Sequence, residues 1–339
     1  MLNETRILFD KYLERVAQLN GVKDVTKTFS ATPSVEQTLE NKIQESSEFL
    51  RRINMIGVRD LSGEKLRLGI SGTIAGRTNV ANGPRQPRDL SAIDPQGYEC
   101  KFTEFDTALP YSKLDQWAKF RDFQVRVRNA IVRGQALDRI MVGWNGTSAA
   151  AATDRDTYPL LQDVNIGWLQ HYRTNAPARV LDEVEAASGV VNVGPAGDYA
   201  NLDALVMDAK QNLIDSWHRK NPELVCILGD GLLHDKYFPL VNKEEAPTEK
   251  LALDLVISQK RVGGLQAVAV PFFPDNTILI TSLSNLSIYW QEERRRRHIR
   301  EEPDYNRVAN YESTNEAYVV EDYGFGCLIE NIVIGDFSE

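Results

Sequence analysis

The residue types that do chemistry are present in this chain, but their spacings assemble no familiar reaction centre. His171, His218, His234 and His298 show no HExxH or other metal-ligand spacing, and no cysteine pair supplements them. Ser216-Trp217-His218 brings a hydroxyl and an imidazole close along the chain, yet residues two apart on a helix point in different directions. ILGDGLL (227–233) has the strand-turn-helix form whose backbone amides hold phosphates. It lacks the third glycine of a dinucleotide fingerprint and the Gly-Lys-Ser/Thr of a P-loop, so it reads as an ordinary tight turn. Carboxylates are plentiful, and nothing singles out two of them as an acid and base pair.

Two basic features remain. Arg294-Arg295-Arg296-Arg297 is flanked by Glu292, Glu293, Glu301 and Glu302, which predicts a salt-bridged surface. Lys119, Arg126 and Arg133 are seven apart, so on a continuous helix they share a side; Asp115 and Asp122 sit four residues before the first two. That stripe fits either local ion pairing or a weak, sequence-independent contact with phosphate. A net charge of −9 argues against a chain whose whole surface grips nucleic acid. Cys100, Cys226 and Cys327 are widely spaced among apolar residues and read as buried reduced thiols. The longest aliphatic runs, such as Leu224 to Leu228, fall far short of the ~20 apolar residues that cross a bilayer. Met1 to Gly21 mixes acids and bases, unlike a signal peptide. Nothing calls for a metal, a cofactor or a membrane.

The elements that would position any site are organised around Ser112 to Trp144. Its apolar residues Leu114, Trp117, Phe120, Phe123, Val127, Ile131, Leu137, Met141 and Trp144 recur every three or four positions, predicting one helix of about 50 Å. Ser112 is placed to cap it, Asn145-Gly146 to stop it in a left-handed turn, and Gly134 to mark a shallow bend or a close packing contact. Upstream, Leu8, Phe9, Tyr12, Leu13, Val16 and Leu19 form one face of a helix ended by Asn20-Gly21, and Val22 to Thr32 reads as a polar linker. A second helix starts with the capping box Ser34 to Gln37 and carries an apolar stripe of Val35, Leu39, Ile43, Leu50 and Ile53. The two short helices look like an arm.

Leu66, Leu68, Ile70 and Ile74 alternate with polar residues, as do Tyr98, Cys100 and Phe102, with a Gly- and Pro-rich stretch from Ala75 to Gly97 between them. This predicts a long hairpin, too poor in apolar surface to stand alone in water. From Asp198 the pattern is α/β: a helix from Leu202 to Trp217, a buried strand Leu224 to Leu228, a helix through Val241, then strands at Leu251–Ile257, Ala267–Val270, Thr277–Ile280 and Leu286–Trp290. Strands at Tyr318–Val320 and Cys327–Ile334 close the chain.

QESSEFLRRIN (44–54), YECKFTEFD (98–106), LDQWAKFRDFQVRVRNAIVRGQALDRIMVGWNG (114–146), ISQKRVGGLQAVAVPFFP (257–274) and VVEDYGFGCL (319–328) resemble the major capsid protein of P2-type tailed bacteriophages. The likeness runs over nearly the whole chain. It implies an α+β HK97-like fold: residues 1–33 a scaffold-associated segment removed on maturation, 34–56 an N-terminal arm, 57–109 an extended loop over a neighbouring subunit, 110–197 and 288–339 a peripheral domain with the spine helix, and 198–287 an axial domain. It further implies a shell of hexamers and pentamers with no active site, found in the virion and assembled in the bacterial cytoplasm. The implied partners are other copies of the chain, an internal scaffold that doubles as protease, a portal, packaged double-stranded DNA and, in some relatives, decoration or size-determining proteins. On this reading the maturation cut falls near Ala31-Thr32, Lys119, Arg126 and Arg133 are candidate inner-face contacts to phosphate, and Arg77, Arg85 and Arg88 lie at the intersubunit loop tip. The rival readings are a cytosolic α/β enzyme acting on a phosphorylated small molecule at the Gly229 turn, and a non-viral compartment shell of the same fold.

Overall fold

The computed structural model describes residues 1–65, 75–85, 87, 97–241 and 260–338. In chain order these form α1 (Asn3–Asn20), β1 (Phe29–Ser30), α2 (Pro33–Glu45), α3 (Glu48–Arg52), β2 (Asn54–Val58), β3 (Ser62–Gly63), β4 (Tyr98–Glu99), β5 (Lys101–Glu104), β6 (Thr107–Pro110), α4 (Tyr111–Trp117) and α5 (Phe123–Asn145). There follow α6 (Trp168–Asn175), β7 (Val180–Leu181), β8 (Val191–Val193), α7 (Leu202–Leu213), β9 (Leu224–Leu228), α8 (Asp230–Val241), β10 (Arg261–Val262), β11 (Leu265–Val268) and β12 (Ile278–Ser282). β13 (Leu286–Gln291), β14 (Arg296–Glu302), β15 (Arg307–Val320), β16 (Cys327–Ile329) and β17 (Ile332–Ile334) complete the chain. The expected strand segments Leu66–Ile74 and Leu251–Ile257 lie outside the described residues.

Two compact units are present. The first comprises residues 1–63, 98–167 and 287–318. Its sheet runs β1-β14-β15-β13-β2, with β5 and β6 also pairing β15. β3 and β4 pair antiparallel at Ser62↔Glu99 and Gly63↔Tyr98, forming the base of the expected hairpin. Phe9, Tyr12 and Val16 of α1 pack with Leu114 of α4 and with Phe123, Val127 and Ile131 of α5, and Ile299 and Val308 join them. α1 is therefore part of this core. Asp115 accepts the amide of Leu2 at 2.9 Å, and Arg6 donates two hydrogen bonds to Glu301 at 2.6 and 3.1 Å. The linker is not simply polar either, since Val25 and Phe29 are buried and β1 adds to β14 in the register Phe29↔Arg297.

The second unit comprises residues 64–97, 168–286 and 319–339, with a sheet ordered β10-β11-β9-β12-β16-β7. Every residue of β9 and β12 is buried, as the continuous apolar run at 224–228 predicts for a strand covered on both faces. Leu205, Val206 and Ala209 of α7 close over Cys226, Leu228, Ile278, Ile280 and Cys327. α7 stops at Leu213, short of the expected Trp217, which is exposed.

The spine departs from expectation in three ways. It is two helices, not one, because residues 118–122 form a turn between α4 and α5. Pro110, not Ser112, occupies the cap position of α4. Gly146 has extended backbone, and glycine is needed there because a Cβ would lie 2.2 Å from the carbonyl oxygen of Asn165. At Gly134 a Cβ would meet nothing, so no close contact explains that residue. Nor does the expected capping box form at α2: Thr32 holds the cap position without a side-chain hydrogen bond, and Gln37 donates to Asn41.

Candidate functional site

The first unit contains a polar cluster built where an apolar core is normally found. α2 contributes Glu36 and Glu40, α5 contributes Gln135 and Arg139 one turn apart, β15 contributes Glu312 and Glu316 on one face, and Arg295 precedes β14. The side chains of Arg139, Arg295, Glu40, Glu312 and Glu316 are each no more than 1% exposed. Arg139 grips Glu40 with two hydrogen bonds of 2.7 and 3.1 Å. On its other edge Nε reaches both oxygens of Glu316 at 3.0 and 3.1 Å, and Nη2 also donates to Glu316. Arg295 donates to Glu312 at 2.6 Å, to Gln135 at 2.8 Å and to Glu40. Glu40 thus bridges two guanidinium groups. Glu36 accepts the backbone amides of Glu293 and Arg295 at 2.9 and 3.3 Å. Arg297 donates to Asn310 at 2.7 Å and lies 3.8 Å from Glu312.

Burial opposes the charge of Arg139, but Glu316 and Glu40 outweigh it and hold the guanidinium well above the ordinary arginine range. Burial likewise pushes Glu312 up, and Arg295 and Arg297 outweigh it, leaving the carboxyl at about 2. Glu40, facing two arginines, is lowered, again against burial. Burial wins at Glu316 and at Glu36, which are raised. Four carboxylates, Glu36, Glu40, Glu312 and Glu316, face three guanidinium groups, Arg139, Arg295 and Arg297, so the acids outnumber the bases by one. The chemistry available is electrostatic clamping: Arg139 and Arg295 are committed to acceptors on both edges, Nε2 of Gln135 is left without a partner among the described residues, and no nucleophile is present. Such a cluster gains little net stability over an apolar core, but removing any one partner leaves a buried charge uncompensated.

The residues singled out from the sequence fall elsewhere. Of Arg294-Arg297, Arg295 and Arg297 are salt-bridged but covered, Arg295 being buried in the cluster, whereas Arg294 and Arg296 are exposed as a surface run would be. Lys119 sits in the turn between α4 and α5, so it shares no helix with Arg126 and Arg133. Asp122 pairs with Arg126 at 2.9 Å, whereas Asp115 is turned to Leu2 and Thr5. Lys119, Arg126 and Arg133 are all exposed. Ala31 donates its amide to the carbonyl of Arg295 at 3.0 Å, directly after β1, and Thr32 precedes α2. Arg77 and Arg85 are exposed, and Arg88 lies outside the described residues.

The remaining chemical candidates resolve into packing. At Gly229 a Cβ would lie 2.4 Å from the Cα of Asp275, so the ILGDGLL turn is glycine for close backbone approach. His218 contacts Asp322 at 3.1 Å and stacks on Phe325. All three cysteines are buried and free, and burial pushes the Cys100 and Cys226 thiols up to about 12. Among the described residues no group of three or more His, Cys, Asp or Glu could hold a metal ion, and no helix is long and apolar enough to cross a membrane.

Residues 8–332 match the family described as Phage major capsid protein, P2 family. The chain belongs to that family. The capsid protein is 53% identical to the capsid proteins of Escherichia phage P2, over 100% of this chain and 97% of the relative. It is 44% identical to the major capsid protein of Serratia phage KSP20, over 98% and 97% of the two chains. A chain of the satellite phage P4 procapsid, solved with a size determination protein, superposes with a TM-score of 0.84 at 51% identity, covering 100% of both chains. The HK97-like capsid fold and a place in the virion shell follow, and the relatives are structural proteins. The clamp is therefore part of a shell subunit.

Proposed function

We propose that the chain assembles as hexamers and pentamers of an icosahedral phage shell around double-stranded DNA, in the cytoplasm of a bacterial host, and carries no catalytic activity of its own. The observation that carries this reading is the full-length likeness to the P4 procapsid chain. Residues 57–109 form the loop that overlaps a neighbouring subunit, with Arg77, Arg85 and Arg88 towards its tip. Residues 110–197 and 288–339 form the peripheral domain, 198–287 the axial domain at the centre of each capsomer, and 34–56 the arm. Lys119, Arg126 and Arg133 supply weak contacts to packaged phosphate; the exposure of all three supports this, while the Asp122 pair weakens the share of Arg126. The partners are an internal scaffold that doubles as protease, a portal and a size-determining or decorating protein, the last supported by the size determination protein in the P4 procapsid.

Maturation removes the first helix by a cut near Ala31-Thr32. Because β1 pairs with β14 and α1 is packed on α5, the cut alone does not free the segment; β1 must also be peeled from the sheet. Electron microscopy of the chain co-expressed with its scaffold tests the assembly reading, with closed shells expected and a persistent monomer against it. Intact-mass analysis of subunits from DNA-filled particles tests the cut separately: a mass matching the full chain removes the processing step and leaves the shell.

A further inference from the structure

α1, α2 and α5 leave a groove of about 570 Å³ between them. Its apolar lining is unexpected. The periodicity of α2 predicts Val35 and Leu39 in the core, but Glu36 and Glu40 are buried instead, and Val35 and Leu39 remain half-exposed in the groove. Leu19 of α1 and Val125 of α5, 50% and 42% exposed, face the same space.

Four cations line the groove and no carboxylate does. Two are already engaged: Lys42 pairs with Glu45 at 2.6 Å, and Arg297 is held by Asn310 and Glu312. Arg15 and Arg128 have no salt bridge among the described residues, Arg128 reaching only the side-chain oxygen of Asn129. An apolar floor shared by three helices, edged by two guanidinium groups with no salt bridge among the described residues, is the complement of a helix with an apolar stripe flanked by acids. Phosphate backbone fits it less well, because the floor offers a nucleic acid nothing but desolvation.

We propose that this groove receives an amphipathic α-helix of a partner protein, seating apolar side chains spaced i, i+3/i+4 and i+7 against Val35, Leu39, Leu19 and Val125, with carboxylates facing Arg15 and Arg128. One wall, carrying Leu19 and Arg15, lies upstream of Ala31. The groove therefore exists only in the uncut chain, and a cut near Ala31-Thr32 followed by loss of α1 ejects the partner. That consequence rests on the maturation reading above, whereas the binding itself does not.

The probe is a fluorescent 18-residue helical peptide with a leucine stripe flanked by glutamates, titrated against the full uncut chain. A second peptide has lysine in place of each glutamate, and a 20-base-pair duplex is the third ligand. The wild-type chain should bind the acidic peptide and discriminate against the basic one. The double variant Arg15→Glu/Arg128→Glu should weaken the acidic peptide about tenfold or more and restore binding of the basic one, a swap that a misfolded variant does not produce. Equal affinity for both peptides, no binding of the acidic peptide, or duplex binding lost in the variant while the acidic peptide is ignored would each overturn the proposal. If particles carry the uncut chain and the acidic peptide still binds as described, only the cleavage reading fails.

Discussion

The two units solve the same packing problem with opposite chemistry. In the second, α7, β9, β12 and β16 meet through the apolar side chains of Leu205, Val206, Leu228, Ile278, Ile280 and Ile329. In the first, α2, α5 and β15 meet through Glu40, Arg139, Arg295, Glu312 and Glu316, all equally buried. Apolar contacts are non-directional and tolerate sliding and repacking, so they favour compactness over one exact arrangement. A guanidinium held between two carboxylates has directional bonds on both edges and leaves a costly unpaired charge if any partner moves. The lesson is that the unit holding α2 is keyed by charge, while the other is simply filled.

The largest effect expected from breaking this contrast comes from Arg139→Ala. It strands Glu40 and Glu316 without their shared partner and should cost about 3–5 kcal/mol, read as destabilisation of the first unit in urea unfolding followed by hydrogen exchange at 307–318. Ile280→Ala in the second unit removes buried methyl groups and should cost roughly 2–5 kcal/mol, confined to amides of β9 and β12.

Acid should separate the units next. Glu312 and Glu40 have lowered pKa values, so their stabilisation is complete above the ordinary carboxylate range and is lost as pH falls towards the value of about 2 at Glu312. Glu316 and Glu36 are raised, so the sign is reversed: they favour the folded state below the ordinary range, and that contribution disappears as pH rises through their raised values. The first unit should therefore show a stability maximum at mildly acidic pH, measured by urea midpoints at several pH values, where the apolar core of the second unit shows none. The smallest effect is expected of Glu316→Gln, which keeps an acceptor for Arg139 and removes the excess negative charge; a change within about 1 kcal/mol of wild type is predicted, together with a flattened high-pH side of the maximum.

What was legible in the sequence follows the same division. The second unit could be read from hydrophobic pattern, because β9, β12 and α7 bury the apolar residues their periodicity marks. The first could not. β15 runs from Arg307 to Val320, yet only its last residues look like a strand, since the positions it buries include Asn310, Glu312, Thr314 and Glu316. Arg295 is hidden in a run of arginines that reads as solvated surface. The break between α4 and α5 leaves no trace because no Gly or Pro marks it and Phe120 and Phe123 continue the helical spacing, although Phe120 is exposed. A usable signal did exist: Arg139 and Gln135 interrupt an apolar stripe containing Val132, Ala136 and Ile140, and Glu36 and Glu40 repeat at helical spacing with Ile43. Charges of opposite sign inside two apolar stripes point to a buried pair. The family likeness, carried by long words spread over every region, was legible without any of this.

The central claim is that charge clamps α2 and β15 onto α5, and hydrogen exchange of the assembled chain carrying Arg139→Met tests it most directly, because Met keeps the volume and removes the bonds. Amides of residues 33–45 and 307–318 should lose protection while those of 224–228 and 278–282 keep it. Unchanged protection at 33–45, or an equal loss in both units, would contradict the account.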